Sequence, residues 1–141
     1  MKIFKFGGTS IKDSSGVKNL ISILIELGFK QTLIVVSAMG KTTNALEIVV
    51  NNYFENKDEL QYSINEVFKF HNDIVLNLFP NDNHDIFNEI REIFENLRDF
   101  LKRNKSPNYS FVYDQVVSQG ELLSTKIISA YLNYKNIKAI W

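Results

Sequence analysis

The first 36 residues constrain the fold most, because two short apolar runs there enclose one segment with helical periodicity. Residues 1–6 form an apolar-rich run that stops at Gly7-Gly8, which is typical of a strand entering a glycine turn. Residues 32–36 are all leucine or β-branched, which predicts a strand covered on both faces. Between these runs, apolar residues recur at helical spacing before Gly28, a typical helix C-terminal cap: Val17, Leu20, Ile21, Leu24, Ile25 and Leu27. The order strand, helix, strand predicts two parallel strands with a right-handed crossover, and therefore an α/β fold.

The middle of the chain, about residues 57–104, predicts a long helical hairpin. One apolar stripe at helical spacing runs over residues 57–79 and ends at Pro80, and a second covers residues 85–101. The short connection Pro80-Asn81-Asp82-Asn83 predicts that the two helices are antiparallel. Shorter elements are predicted towards the C-terminus: helices at 111–117 and 121–135, and a strand at 137–141.

Composition excludes several classes of function. The 141 residues are 45% hydrophobic, which is enough to bury the core of one ordinary domain. Sixteen basic and sixteen acidic residues balance, so no general field attracts nucleic acid or an anionic membrane. With no cysteine, disulfides, thiolate metal sites and cysteine nucleophiles are excluded. The sequence has neither a spanning apolar run nor a signal-peptide pattern, so we expect a cytoplasmic protein that binds neither nucleic acid nor membrane.

The glycine pair after the first strand is a candidate phosphate site. Without a Cβ, backbone N–H groups can approach a phosphate closely, and the start of the following helix favours an anion at the same place. Lys5 would add a full positive charge. On these residues alone, a tight turn with a solvent-facing lysine explains the pattern equally well.

A second loop with similar character leaves the second strand. Residues 35–46, VVSAMGKTTNAL, pass through small residues into a predicted helix with Thr42 or Thr43 as its cap. Parallel strands deliver both loops to the carboxyl edge of the sheet, where open α/β sheets bind ligands. The loop is not a P-loop, because that motif requires glycine where this chain has Val35.

A third segment, SQGELLST at residues 118–125, places Gly120 and Glu121 at a predicted helix junction. Taken locally, Glu121 is explained as a carboxylate that complements the dipole of a helix start. Taken together, KFGGTS at residues 5–10, SAMGKTTNAL at residues 37–46 and SQGELLST resemble the motifs of the aspartate kinases, in the amino acid kinase family. The three occur in that family's order, so the resemblance covers essentially the whole chain.

The resemblance implies a fold, a reaction and a set of site residues. The fold is a three-layer αβα arrangement with a mainly parallel sheet, incomplete here, plus the helical hairpin. The reaction transfers the γ-phosphoryl group of ATP to the side-chain carboxylate of L-aspartate, for lysine, threonine and methionine biosynthesis, with Mg²⁺ and a homo-oligomeric parent enzyme. Lys5 is the implied catalytic residue. The implied phosphate site is Lys5, Phe6, Gly7, Gly8, Thr9 and Ser10, the implied aspartate site is Ser37, Thr43 and Glu121, and no metal ligand is implied.

The resemblance also implies that the chain is part of a larger enzyme. We expect residues 1–141 to be the N-terminal, amino-acid-binding part, without the C-terminal nucleotide-binding half or the regulatory domains, and to be inactive alone. ATP and Mg²⁺ would then be held mainly by the absent half. Alternatives are a glutamate, acetylglutamate or carbamate kinase, a non-catalytic interaction module derived from a kinase half, or a structural α/β domain.

Other polar residues are interpreted as structural. His71 lies on the first apolar stripe, where a packed, hydrogen-bonded histidine is a better explanation than a ligand. His84 is expected in solvent, and Asp82 and Asp85 beside it are expected to be helix caps rather than metal ligands. The cations at the end of the second long helix complement its dipole and do not form a nucleic-acid patch: Lys102, Arg103 and Lys105.

Overall fold

The computed structural model describes residues 1–81 and 83–141, which form two strands and six helices. In chain order these are β1 (Lys2–Phe6), α1 (Ser14–Leu27), β2 (Thr32–Val36), α2 (Thr42–Glu55), α3 (Lys57–Leu78), α4 (Ile86–Arg103), α5 (Tyr109–Val117) and α6 (Gln119–Tyr134). The predicted cap Asp82 lies outside the described residues. No helix among the described residues is both long and apolar enough to cross a membrane.

The two strands confirm the predicted parallel pairing. β1 pairs with β2 in a register that runs from Lys2 opposite Thr32 to Phe6 opposite Val36. The intervening helix α1 ends at Gly28, whose φ of 78° lies in the region that glycine tolerates best. This helix-rich arrangement with a small parallel sheet is an incomplete αβα fold.

The prediction that β2 is covered on both faces is wrong for these residues. Its side chains alternate between half-buried and exposed, and Leu33 and Val35 are 50% and 41% exposed. Ile3 on β1 is 63% exposed. Alternation of this kind marks a sheet with one covered and one open face. The apolar side chains of Leu33 and Val35 therefore lie in solvent on the open face.

The helical hairpin is formed by α3 and α4, as predicted. Arg98 donates to Asn65 Oδ1 at 2.8 Å, while the rings of Phe68 and Phe94 pack edge to face with centroids 5.3 Å apart. Later residues of α3 meet earlier residues of α4, so the helices are antiparallel. Both apolar stripes are buried in the core: Ile64, Val67, Ile74, Val75 and Leu78 from α3, and Ile86, Ile90, Ile93, Phe94 and Leu97 from α4.

The predicted strand at 137–141 is wrong, because this segment folds back on α6. The Asn133 side chain accepts from the Ala139 N–H and donates to the Ala139 carbonyl, at 3.0 and 3.1 Å. The Trp141 indole N–H donates to Thr125 Oγ1 at 2.8 Å. Lys126 Nζ stands 4.1 Å from the centre of the Trp141 ring, a cation–π contact. The Asn133 side chain thus makes the hydrogen bonds to the Ala139 backbone that a neighbouring strand would make in a sheet.

Candidate functional site

The three motif loops meet around Ala38. A Cβ built on Gly8 would lie 2.5 Å from the Ala38 carbonyl oxygen, and one built on Gly120 would lie 3.0 Å from Ala38 Cβ. Backbone hydrogen bonds join the first two loops, from Ser37 N–H to the Phe6 carbonyl at 3.2 Å and from Gly40 N–H to the Gly8 carbonyl at 3.0 Å. The segments that follow β1 and β2 and the start of α6 therefore form one continuous surface at the carboxyl edge of the sheet.

The two adjacent glycines after β1 have different reasons to lack a side chain. Gly8 has no room for one, because the second loop lies directly against its Cα. Gly7 is exposed, and a Cβ built there would have no neighbour within 4 Å. The Gly7 backbone therefore faces open space, which fits the approach of a phosphate.

Lys5 and Phe6 divide the end of β1 between solvent and core. Lys5 is exposed, and no hydrogen bond or salt bridge to its ammonium occurs among residues 1–81 and 83–141. Phe6 is buried, with 9% of its surface exposed, so a role for it in a phosphate site is limited to its backbone. Lys5 is thus a free cation at this edge.

Thr9 and Ser10 lie in the turn between β1 and α1, and both are exposed. Helix α1 begins after this turn, at Ser14. Its first turn is already capped, because Asp13 Oδ1 accepts from the Gly16 N–H at 2.8 Å. A Cβ on Gly16 would lie 2.4 Å from the Ser10 carbonyl, so this turn packs tightly on the helix start.

The start of α2 differs from the prediction in its cap. The N-cap position is Lys41, with no side-chain capping bond, and Thr42 is already helical. The Thr42 hydroxyl is buried and donates backwards to the Met39 carbonyl at 2.6 Å. Thr43 is half-buried beside it. Neither threonine is the N-cap of the helix.

Glu121 lies in the first turn of α6 and its side chain is exposed. The preceding Gly120 is buried, and a Cβ built on it would meet Thr42 Cγ2 at 3.3 Å. The residue pairs Gly120-Glu121 and Thr42-Thr43 are therefore neighbours across the site. Ser37, half-buried, completes the set of predicted aspartate-binding residues at this edge.

His71 of α3 is a part of this region that its sequence position did not reveal. It is fully buried, as predicted for a packed histidine, and its Nε2 lies 3.3 Å from Thr42 Oγ1. Its Nδ1 lies 2.8 Å from the Val67 carbonyl. Burial lowers the pKa of His71 from 6.5 to about 4, against the opposing effect of the Val67 hydrogen bond.

Of the other residues predicted to have structural roles, some lie as predicted and others do not. His84 is half-buried rather than solvated: its ring packs 4.3 Å from that of Phe79, and its Nδ1 accepts from the Ile86 N–H at 3.1 Å. Asp85 occupies the N-cap of α4 without a side-chain capping bond. Lys102 and Arg103 lie in the last turn of α4, as predicted. The described residues contain no cluster of three or more histidine, cysteine or acidic side chains able to hold a metal.

A groove of about 490 Å³ lies away from the motif loops. It runs between β2, α6 and the C-terminal tail, with Leu33, Ile128 and Trp141 among its walls. None of the predicted site residues lines it. Its walls include the half-buried side chains of Thr32, Ile34 and Val36, on the face of β2 that packs towards α6.

Comparison with known proteins places the whole chain in one family. Residues 1–141 match the amino acid kinase family. Aspartokinase 1, chloroplastic, of Arabidopsis thaliana is 30% identical over 97% of this chain and 24% of its own length. Bifunctional aspartokinase/homoserine dehydrogenase 2 of Escherichia coli is 28% identical over 99% of this chain and 17% of its own length. The crystal structure of E. coli aspartokinase III with aspartate and ADP superimposes with a TM-score of 0.84, at 25% identity, over 100% of this chain and 30% of that one. The chain thus spans less than a third of each relative.

Proposed function

This chain belongs to the amino acid kinase family, and we propose that it is the N-terminal, amino-acid-binding part of an aspartokinase. The enzyme would transfer the γ-phosphoryl group of ATP to the side-chain carboxylate of L-aspartate, giving 4-phospho-L-aspartate. The observation that carries this proposal is the meeting of three motif loops at Ala38, which brings the exposed Lys5, Gly7 and Glu121 to one sheet edge. The similarity to aspartokinase sequences supports the choice of substrate.

The phosphate end of the site rests on positive charge. An aspartate carboxylate is already ionised at neutral pH, so no general base is needed to make it a nucleophile. Two anions must instead be brought together, which is mainly a matter of positioning and charge neutralisation. Lys5 supplies a full positive charge, and the open backbone at Gly7 supplies a fixed N–H dipole, which needs no reorganisation during the reaction. Thr9 and Ser10 extend this cradle with exposed hydroxyls.

The amino acid end rests on Glu121, Thr43 and Ser37. Glu121 is the exposed carboxylate of this edge and would pair with the α-ammonium of aspartate. Thr43 and Ser37 would hydrogen-bond the polar groups of the same ligand. Because Gly120 packs on Thr42, the two binding residues that follow these positions are held on a common base.

The remaining parts of the enzyme are proposed to lie outside residues 1–141. ATP and Mg²⁺ would be held mainly by a nucleotide-binding half, where the metal would neutralise charge on the phosphates. We propose that the chain alone does not turn over, that the parent is a homo-oligomer, and that it serves lysine, threonine and methionine synthesis. A cytoplasmic location stays a prediction, since relatives include chloroplastic enzymes.

Calorimetric titration of the 141-residue chain with L-aspartate tests this proposal. We expect aspartate to bind, and Glu121→Gln to weaken binding by about tenfold or more, because a charge-assisted hydrogen bond is lost. Glu95→Gln, at an exposed position of α4, is the matched control and should bind as the parent does. Absence of aspartate binding, preference for glutamate, or equal binding by the Glu121 and Glu95 variants would contradict the assignment.

A further inference from the structure

Different atoms of Thr42 contact the second motif loop, the start of α6 and helix α3. Its N–H and its hydroxyl both donate to the Met39 carbonyl, at 3.0 and 2.6 Å. Its methyl group lies against Gly120 at the start of α6. Its hydroxyl oxygen also lies 3.3 Å from Nε2 of His71, which belongs to the helical hairpin. One buried side chain thus joins the second motif loop to the third loop and to α3.

The protons in this cluster can be assigned from the acceptors around it. The Val67 carbonyl only accepts, so Nδ1 of His71, 2.8 Å away, carries a proton. A fully buried ring is neutral at physiological pH, which leaves Nε2 as an acceptor. The single hydroxyl proton of Thr42 then has two acceptors, the Met39 carbonyl and Nε2. Since neither is exposed to water, the hydroxyl is confined to orientations that keep it between loop and hairpin.

The same loop is also held to the β1 turn. Gly40 N–H donates to the Gly8 carbonyl at 3.0 Å, two residues before Thr42. A Cβ on Gly40, whose φ is 54°, would lie 3.5 Å from Cζ of Phe70, the neighbour of His71. The loop at 37–43 therefore rests on α3 at residues 70 and 71 while it contacts the glycine turn on its other side.

We propose that His71 is a positioning residue, which sets the Thr42 hydroxyl and so holds the loop carrying Ser37 and Thr43 in register with the glycine turn. The helical hairpin is then a support for the ligand site as well as a packing element. This inference deepens the proposed function, since it concerns the same aspartate site. The rigidity of this loop can be measured without any ligand.

Amide hydrogen exchange at Gly40 tests the ligand-independent claim. Thr42→Val keeps the shape and methyl group but removes the hydroxyl, and we expect it to speed Gly40 exchange about tenfold, the effect of losing one buried hydrogen bond. Thr42→Ser keeps the hydroxyl and should exchange within about threefold of the parent. Ser63→Ala removes a buried hydroxyl of α3 that bonds within its own helix to the Leu60 carbonyl, and should leave Gly40 unchanged.

A His71 variant and the ring nitrogen signals of the parent protein complete the test. His71→Leu should speed Gly40 exchange as Thr42→Val does, and the double variant should exchange little faster than either alone, because both remove one interaction. Should His71→Leu not fold, the ring nitrogen signals of the parent decide: we expect the neutral Nδ1–H form at pH 7. Unchanged Gly40 exchange in folded Thr42→Val, or an Nε2–H ring, would overturn the proposal.

Aspartate titration of the same variants connects the result to function. We expect Thr42→Val to weaken aspartate binding several-fold and Thr42→Ser and Ser63→Ala to leave it near that of the parent. If the parent binds no aspartate, the aspartokinase assignment fails while Gly40 exchange still decides the positioning role. If aspartate binds and Thr42→Val binds equally well with slow Gly40 exchange, the positioning role fails and the assignment stands.

Discussion

The hairpin and the sheet are both rich in apolar residues, yet they bury them to very different extents. Phe94 of α4 is 1% exposed and lies against α3, whereas Ile3 of β1 and Leu33 of β2 are at least half exposed. The apolar stripes of α3 and α4 are both buried within these 141 residues. Among the described residues the sheet has two strands, and one of its faces is open. The hairpin stripes are therefore buried by each other and by α1, α2 and α6, whereas one face of the sheet has no covering element among the described residues.

The largest expected effect comes from emptying the hairpin core. Phe94→Ala should lower the free energy of unfolding by about 3–5 kcal/mol, because a buried ring is replaced by a cavity. Chemical denaturation followed by circular dichroism measures this loss. Tyr62→Ala, on the exposed side of α3, is the control and should stay within about 0.5 kcal/mol. Equal losses in the two variants would mean that the hairpin does not pack as described.

The next largest effect is the pH dependence that His71 gives to the hairpin. Because the pKa of His71 is lowered to about 4 in the folded state, the unfolded chain binds a proton that the folded chain does not between pH 6.5 and pH 4. This contribution to stability is complete above pH 6.5 and is lost as pH falls towards 4, by on the order of 3 kcal/mol.

Urea denaturation at pH 7, 5.5 and 4 measures that slope. The His71→Gln variant has no titratable ring, so its stability should fall less over the same range, whatever its stability at pH 7. The described partners of the ring are the Val67 carbonyl and the Thr42 hydroxyl, neither of which titrates here. Parallel pH profiles for parent and variant would show that the buried ring does not set this dependence.

A smaller effect distinguishes the two glycines at the sheet edge. Gly8→Ala should cost about 1–3 kcal/mol, because its Cβ would lie 2.5 Å from the Ala38 carbonyl and the backbone would have to shift. Gly7→Ala meets open space and should change stability by less than about 1 kcal/mol. Thermal unfolding of the pair measures the difference, and an equal cost at both positions would contradict the close approach of the two loops.

The smallest effect is expected on the open sheet face. Leu33→Thr should change the stability of this chain by no more than about 0.5 kcal/mol, since the leucine is 50% exposed. Ile34→Thr, at the half-buried position beside it, should cost more, and denaturant midpoints compare the two. A larger loss for Leu33 than for Ile34 would reverse the assignment of the two faces.

Sequence periodicity predicted the elements whose side-chain spacing is set by packing. The two stripes of the hairpin and the strand at residues 32–36 lie where expected, because burial of a regular face leaves a regular pattern. The tail at 137–141 looked like a strand from its apolar residues, but Asn133 and Thr125 bind it instead. Individual hydrogen bonds of this kind produce no periodic pattern in the sequence.

The site was predictable in its residue types but not in its supports. The glycine pair, the hydroxyls and Lys5 near the ends of two parallel strands pointed to one edge, and the loops do meet there. The contact between His71 and Thr42 joins residues 29 positions apart, and no pattern in either segment predicts it. The sequence also did not show why residue 8 must be glycine, because the reason is the close approach of Ala38 from another loop.

The folded-back tail gives the protein a built-in optical reporter. Trp141 is the sole tryptophan of the chain, and its ring lies beneath the Lys126 ammonium with its indole nitrogen bonded to Thr125. Intrinsic fluorescence therefore registers the docking of the last five residues on α6. The hydrogen bond and the cation–π contact of Trp141 are both made with α6, so a change in emission reports this docking rather than a change at the glycine turn.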